Sequence, residues 1–231
     1  MKKEYYVFKI NLAKLNILAI IIAIAAGIVS YYINPQLSLK CIELFDFRKS
    51  KTMILIWICI FGYMILHELL HALGYIMYGA KSEKITFGME LEKGVFYCLC
   101  KQDVTRKNIL NASMFPLFYI GIVTYVISII FELPLLLLLS IMNISGAAGD
   151  IMYFLYFIKL DKNIMFSELD DGTSFAILAD YDVSKIKHFG LDFVEKMDEI
   201  PRKDFERIKI SKLSWICIVI ISIVAVLAFI V

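Results

Sequence analysis

The run Met53-Ile-Leu-Ile-Trp-Ile-Cys-Ile-Phe-Gly-Tyr-Met-Ile-Leu-His67-Glu68-Leu-Leu-His71-Ala-Leu-Gly-Tyr-Ile-Met-Tyr78 decides the class of this chain. It exceeds the roughly 20 residues that a helix needs to cross the hydrocarbon of a bilayer. Its ionisable groups are gathered in one turn, and each such group near the bilayer centre costs about 2.5–3.5 kcal/mol on insertion scales. A His-Glu-x-x-His string kept at that cost reads as functional. Positions i and i+4 share a helix face, so His67 and His71 both reach one metal ion. Glu68 beside them is placed to take a proton from water that the metal activates.

Working outward, the whole chain has the composition of its central run. It has 231 residues, 60% hydrophobic and only 20% charged, well above the apolar fraction of a soluble domain. With a net charge of +2, no basic helix face and no Cys/His finger spacing, nucleic acid is not an expected partner. The expected partners are the lipid bilayer and a protein or peptide substrate at the membrane. Five cysteines, Cys41, Cys59, Cys98, Cys100 and Cys217, are scattered and odd in number, which argues against a disulfide framework. Cys98-x-Cys100 without a second pair reads as strand residues sharing one face rather than as a metal site.

Taken in order, a basic start precedes a first apolar span at 15–33, read as retained because no small-x-small cleavage site closes it. A polar connection broken by Pro35 follows, then the second span at 53–78. Residues 84–100 alternate apolar with small or polar side chains around Glu92-Lys93-Gly94, the pattern of a β-hairpin. A third span covers 114–131, Glu132-Leu133-Pro134 makes a tight reversal, and a fourth span covers 134–158. Residues 159–212 are too charged to enter the bilayer, with a helical stretch expected around 193–205. A fifth span, 213–231, ends the chain. The expected fold is an all-α integral membrane bundle of about five transmembrane helices, with a small β-hairpin after the second span and a cytoplasmic α/β segment before the last. The expected domains are a transmembrane core at 1–158, a polar cytoplasmic segment at 159–212 and a C-terminal helix at 213–231. Lys40, Arg48, Lys49 and Lys51 alone of the 24 basic residues fall in the loops opposite the N-terminus, which predicts a multi-pass protein of the cell membrane with a cytoplasmic N-terminus.

A catalytic zinc site takes three protein ligands and leaves one position for water, so His67 and His71 need a partner. Gly74 fits the extended metzincin pattern, but Met77 stands where that pattern wants a third histidine. His188 lies far along in the polar segment. Glu90 has a plausible spacing after His71 but sits in a strand-like run. Asp150 is preferred, because it is the acidic residue inside the fourth span, where an unpaired carboxylate is costly. At 1.5 Å per residue, His67 and Asp150 lie about 21 Å and about 24 Å along spans that run the same way. Asn143, almost two turns before Asp150, shares its face and is a candidate for contacting substrate or the developing oxyanion. The intervening Ser145-Gly-Ala-Ala-Gly149 lets helix backbones approach closely.

Together His67-Glu68-Leu-Leu-His71-Ala-Leu-Gly74, Tyr97-Cys98-Leu-Cys100 and Asn143-Ile-Ser-Gly-Ala-Ala-Gly-Asp150 resemble the bacterial multi-span membrane family of zincin peptidases over about residues 60–160. More distantly they are similar to the site-2 intramembrane metalloproteases, where the third ligand is an Asp on a later span with an Asn upstream on the same helix. In that family a Gly follows the Asp and a Pro lies between Asn and Asp; here Gly149 precedes Asp150 and no Pro intervenes. The resemblance implies a zinc-dependent hydrolase, with Zn²⁺ on His67, His71 and Asp150 and Glu68 as the base. Two other classes compete. A noncatalytic zinc-binding adaptor would not need Glu68, and a metal transporter would need polar residues along several spans, which the first and last lack.

Overall fold

The computed structural model describes residues 3–45, 50–90, 95–169 and 172–200. Three helices in it are long and apolar enough to cross a bilayer: Leu12–Ile33, Thr52–Met77 and Arg106–Ile130. A fourth candidate is a bent pair, Pro134–Gly146 and Ala148–Phe157, with 42° between its halves. The chain is a multi-pass membrane protein, but not the five-span all-α bundle that the hydropathy pattern suggests. The fifth span expected at 213–231 lies outside the described residues. Seven strands in two sheets stand where the sequence reading expected one hairpin.

In chain order the elements are β1 (Glu4–Ile10), α1 (Leu12–Ile33), α2 (Pro35–Glu43), α3 (Ser50–Met77), β2 (Ile85–Glu90), β3 (Val95–Cys100), β4 (Val104–Thr105) and α4 (Arg106–Pro116). A π-helical stretch, Leu117–Val123, leads into α5 (Thr124–Ile130). Then come α6 (Pro134–Gly146), α7 (Ala148–Phe157), β5 (Met165–Glu168), β6 (Ser174–Ala179) and β7 (Leu191–Met197). The hairpin read at 84–100 is present as β2 and β3, paired antiparallel from Ile85↔Cys100 to Glu90↔Val95. The remaining strands form one sheet in the order β4-β5-β6-β1-β7. One of its inner strands is β1, taken from the basic start of the chain, which pairs antiparallel with β6 and with β7. Tyr5, Tyr6, Val7 and Phe8 explain this, since aromatic and β-branched residues fit a pleated, half-buried surface. The helix expected around 193–205 is instead strand β7 as far as Met197, and 201–205 lie outside the described residues. Pro35 both ends α1 and opens α2 as its first residue, with the Asn34 side chain accepting from the Leu37 amide at 3.0 Å.

The described residues divide into two compact units. One takes its residues from Met1–Ile17, Glu68–Phe115 and Gly149–Ile208. Its core is aromatic: Phe8, Tyr156, Phe157, Phe166 and Phe175 are all buried. Phe157 meets Phe166 edge-on at 5.2 Å, and Tyr153 meets Phe175 at 5.1 Å. Such pairs add to the large area each ring buries. The other unit takes its residues from Leu18–His67 and Pro116–Ala148. Its apolar core is small, built on Leu37, Cys41, Ile56, Leu137 and Leu138. Polar contacts between helices supplement it: Tyr63 donates to the Ile120 carbonyl at 2.9 Å and to Thr124 Oγ1 at 2.8 Å, and Thr124 meets Ser140 at 2.9 Å. Ile20, Ile21, Ile24 and Ile28 of α1 are exposed, as suits a helix whose solvent is lipid.

Candidate metal centre

The site is built on α3. Tyr63, His67, His71 and Tyr75 recur every fourth residue and so line one face of it. The ligand atoms of His67, Glu68 and His71 all lie within 4.8 Å of one another. Among the described residues this is the trio able to hold a metal ion.

The tautomers of both histidines follow from their neighbours. Asn143 donates through Nδ2 to the Pro116 carbonyl at 3.3 Å, which can only accept. That orients the amide so that its Oδ1 faces His67 Nδ1 at 2.8 Å, and Nδ1 must therefore carry the proton. The Pro116 carbonyl immediately precedes the π-helical stretch, where i→i+5 bonds replace the usual i→i+4 ones. His71 Nδ1 likewise donates to the carbonyl of Ala112, at 2.9 Å. In both rings an outer group holds Nδ1, as in metal-binding histidines that coordinate through Nε2.

Asp150 is not one of the trio, but it stands against His71 of α3. Its Oδ1 lies 3.3 Å from His71 Nε2, with the two side chains 12% and 14% exposed. Donors about 2.0–2.1 Å from a tetrahedral ion stand about 3.3–3.4 Å apart, so this pair fits two corners of one coordination sphere. Asp150 lies in the first turn of α7, where the helix dipole favours a carboxylate.

The other residues singled out in the sequence are placed elsewhere. Glu90 ends β2, and its side chain lies outside the described set. His188 packs edge-on against Tyr156 at 5.6 Å, with Nδ1 directed at the Phe189 carbonyl. Cys98 and Cys100 are buried thiols, outside any disulfide, on one face of β3. Burial, and then the carboxylates of Glu168 and Glu68, hold the Cys98 thiol well above its usual pKa range, so it is a neutral packing group.

Two residues of the site have roles that were not read from the sequence. Gly74 is needed where α4 crosses α3: a Cβ there would lie 2.9 Å from the Ala112 Cα. The same residue supplies the carbonyl that orients His71. Gly74→Ala is therefore expected to destabilise the fold by about 1–3 kcal/mol and to weaken metal binding with it. Thermal unfolding in detergent and a zinc titration check this, and wild-type values in both would contradict it. The second residue is Glu168 at the end of β5. It accepts the Tyr75 hydroxyl at 2.9 Å and the Cys100 amide at 2.5 Å. Burial raises its pKa to about 7, against the lowering effect of those two hydrogen bonds. In the sequence it sits in an apparently solvated acidic turn, and only the register of β5 brings it to the motif helix.

Residues 60–165 match the family model described as "Putative zincin peptidase". This is a metallopeptidase site. The matched stretch contains His67, Glu68, His71, Asn143 and Asp150 and stops just short of Glu168. No curated protein and no solved structure matches the chain. The donor set of the metallopeptidase site, two imidazoles and an adjacent carboxylate, suits a divalent ion of borderline softness.

Proposed function

We propose that the protein is a zinc-dependent peptidase of the cell membrane, which cuts peptide bonds of a protein or peptide substrate at or in the bilayer. His67, His71 and Asp150 are the ligands in this reading. What supports it most is the pinning of both imidazoles through Nδ1, to Asn143 and to the Ala112 carbonyl, the side by which metal-binding histidines are held when they coordinate through Nε2. When bound, zinc supplies Lewis-acid activation of water and of the scissile carbonyl. Glu68 takes the proton of the attacking water and returns it to the leaving amine. Asn143 acts first by fixing the His67 ring, a role that its two hydrogen bonds support, and its place beside the motif suits contact with the oxyanion side of the substrate.

The N-terminus is cytoplasmic in this reading. The sheet supports that arrangement, because β1, β4, β5, β6 and β7 share one sheet and a sheet with polar turns does not sit across hydrocarbon. From β1 to β4 the chain passes through α1 and α3. Return from β4 to β5 on the same side takes two further crossings, Arg106–Ile130 and the bent pair. The basic residues of the N-terminal, hairpin and 159–212 segments then gather on one face, the cytoplasmic one by charge bias.

The test is hydrolysis of membrane-protein-derived peptides by detergent-purified protein. A chelator is expected to abolish cleavage, and stoichiometric zinc to restore it. Cleavage indifferent to chelation would contradict the proposal.

A further inference from the structure

Glu168 lies outside the matched family stretch and outside the HExxH trio, yet it is bonded both to the motif helix and to the hairpin. On one side is α3: the Tyr75 hydroxyl, one helical turn beyond His71, donates to Oε1 at 2.9 Å. On the other is β3: the Cys100 amide donates to Oε2 at 2.5 Å. No cation pairs with the carboxylate among the described residues, so two directed hydrogen bonds hold it.

The ladder of the hairpin gives these bonds their meaning. Lys101 donates its amide to the Lys84 carbonyl at 2.8 Å. Hydrogen-bonded pairs alternate along antiparallel strands, so Thr86–Leu99 and Gly88–Tyr97 are the next such pairs in the register. The amides of Cys98 and Cys100 therefore turn away from β2, toward the outer edge of β3. Glu168 takes the Cys100 amide at that edge. Cys98 is the next position along that edge. An edge of this kind is where an extended peptide adds as a further strand.

We propose that Glu168 is a positioning residue of the metallopeptidase site: its carboxylate ties β3 to the motif helix one turn beyond His71, and so fixes the Cys98 edge at which an extended peptide is aligned for cleavage. This rests on the peptidase reading above. Small displacements of a bound substrate cost heavily, since a shift of about 1 Å lowers rates by as much as about 10²-fold. Glutamine at this position keeps one carbonyl oxygen and replaces the other with a donor, so Glu168→Gln cannot accept the Tyr75 hydroxyl and the Cys100 amide on two separate oxygens as Glu168 does.

The experiment compares two substrates on the full chain loaded with zinc. One is an extended peptide of about ten residues, long enough to pair along β3; the other is a blocked dipeptide reporter that spans only the scissile bond. Glu168→Gln is expected to lower kcat/KM for the extended peptide about tenfold more than for the reporter, mainly through KM, with zinc content as in the wild type. In the Tyr75→Phe variant the same ratio shifts about threefold, and combining the two substitutions adds nothing to Glu168→Gln alone. Should Glu168→Gln fail to fold, Tyr75→Phe carries the comparison by itself. Equal losses on both substrates, or a loss that follows zinc content, would overturn the positioning role. A wild-type protein that holds zinc and cleaves neither substrate would overturn the peptidase reading instead.

Discussion

Glu68→Gln is expected to keep its metal and lose turnover by about 10²–10⁴-fold, the range by which a positioned general base accelerates proton transfer. The substitution conserves size and the helix, and the amide still fits among His67, His71 and the neighbouring strand. What it removes is the proton acceptor. Glu68 stands within 4.8 Å of both histidines by ligand atom, near enough to serve the same water that a bound ion activates. Initial rates on a peptide substrate, paired with metal analysis of the same sample, separate this loss from a loss of metal. Full activity with metal bound would exclude Glu68 as the base.

The second large effect concerns Asp150. Asp150→Ala is expected to lower zinc affinity by about 100-fold or more, at least the upper end of what removal of an outer-shell partner costs. Hydrolysis should fall with it and recover in part at high zinc. The geometry gives the reason: Oδ1 lies 3.3 Å from His71 Nε2 in a setting where each side chain is at most 14% exposed. A carboxylate without a partner there is costly, so in the proposed reading a bound ion would stabilise Asp150 as Asp150 would hold the ion. Competition against a chelator of known affinity measures the change. Zinc affinity equal to that of the wild type would remove Asp150 from the ligand set.

These two residues were legible in the sequence for local reasons. Glu68 is fixed by the spacing of the histidines around it on one helix, and Asp150 by the expense of a carboxylate in an apolar run. The partners that tune them were not. Ala112 contributes a backbone carbonyl, which leaves no trace in residue type, and Gly74 matters through a close approach to a helix 38 positions later, Ala112 again. The sheet was hidden for a related reason. β1 pairs with strands more than 160 residues away, as in Glu4↔Ala179, and such pairing leaves no short-range signature. Its lysines made the segment resemble a cytoplasmic tail, while Tyr5, Tyr6, Val7 and Phe8 carried the strand. The charged residues of β7, Asp192, Glu195 and Lys196, similarly masked a strand whose outward positions are solvated. Pro116 marked the start of a span in the sequence. In the structure it lies within a longer one, directly before the π-helical stretch, and its own carbonyl orients Asn143.

The most direct measurement is zinc per chain and peptide turnover, taken side by side on the wild type and on Glu68→Gln. One zinc per chain in both proteins, with turnover in the wild type alone, is the predicted result. A wild type that takes up no zinc, or a Glu68→Gln variant that turns over at the wild-type rate with zinc bound, would contradict the division of labour between His67, His71 and Glu68.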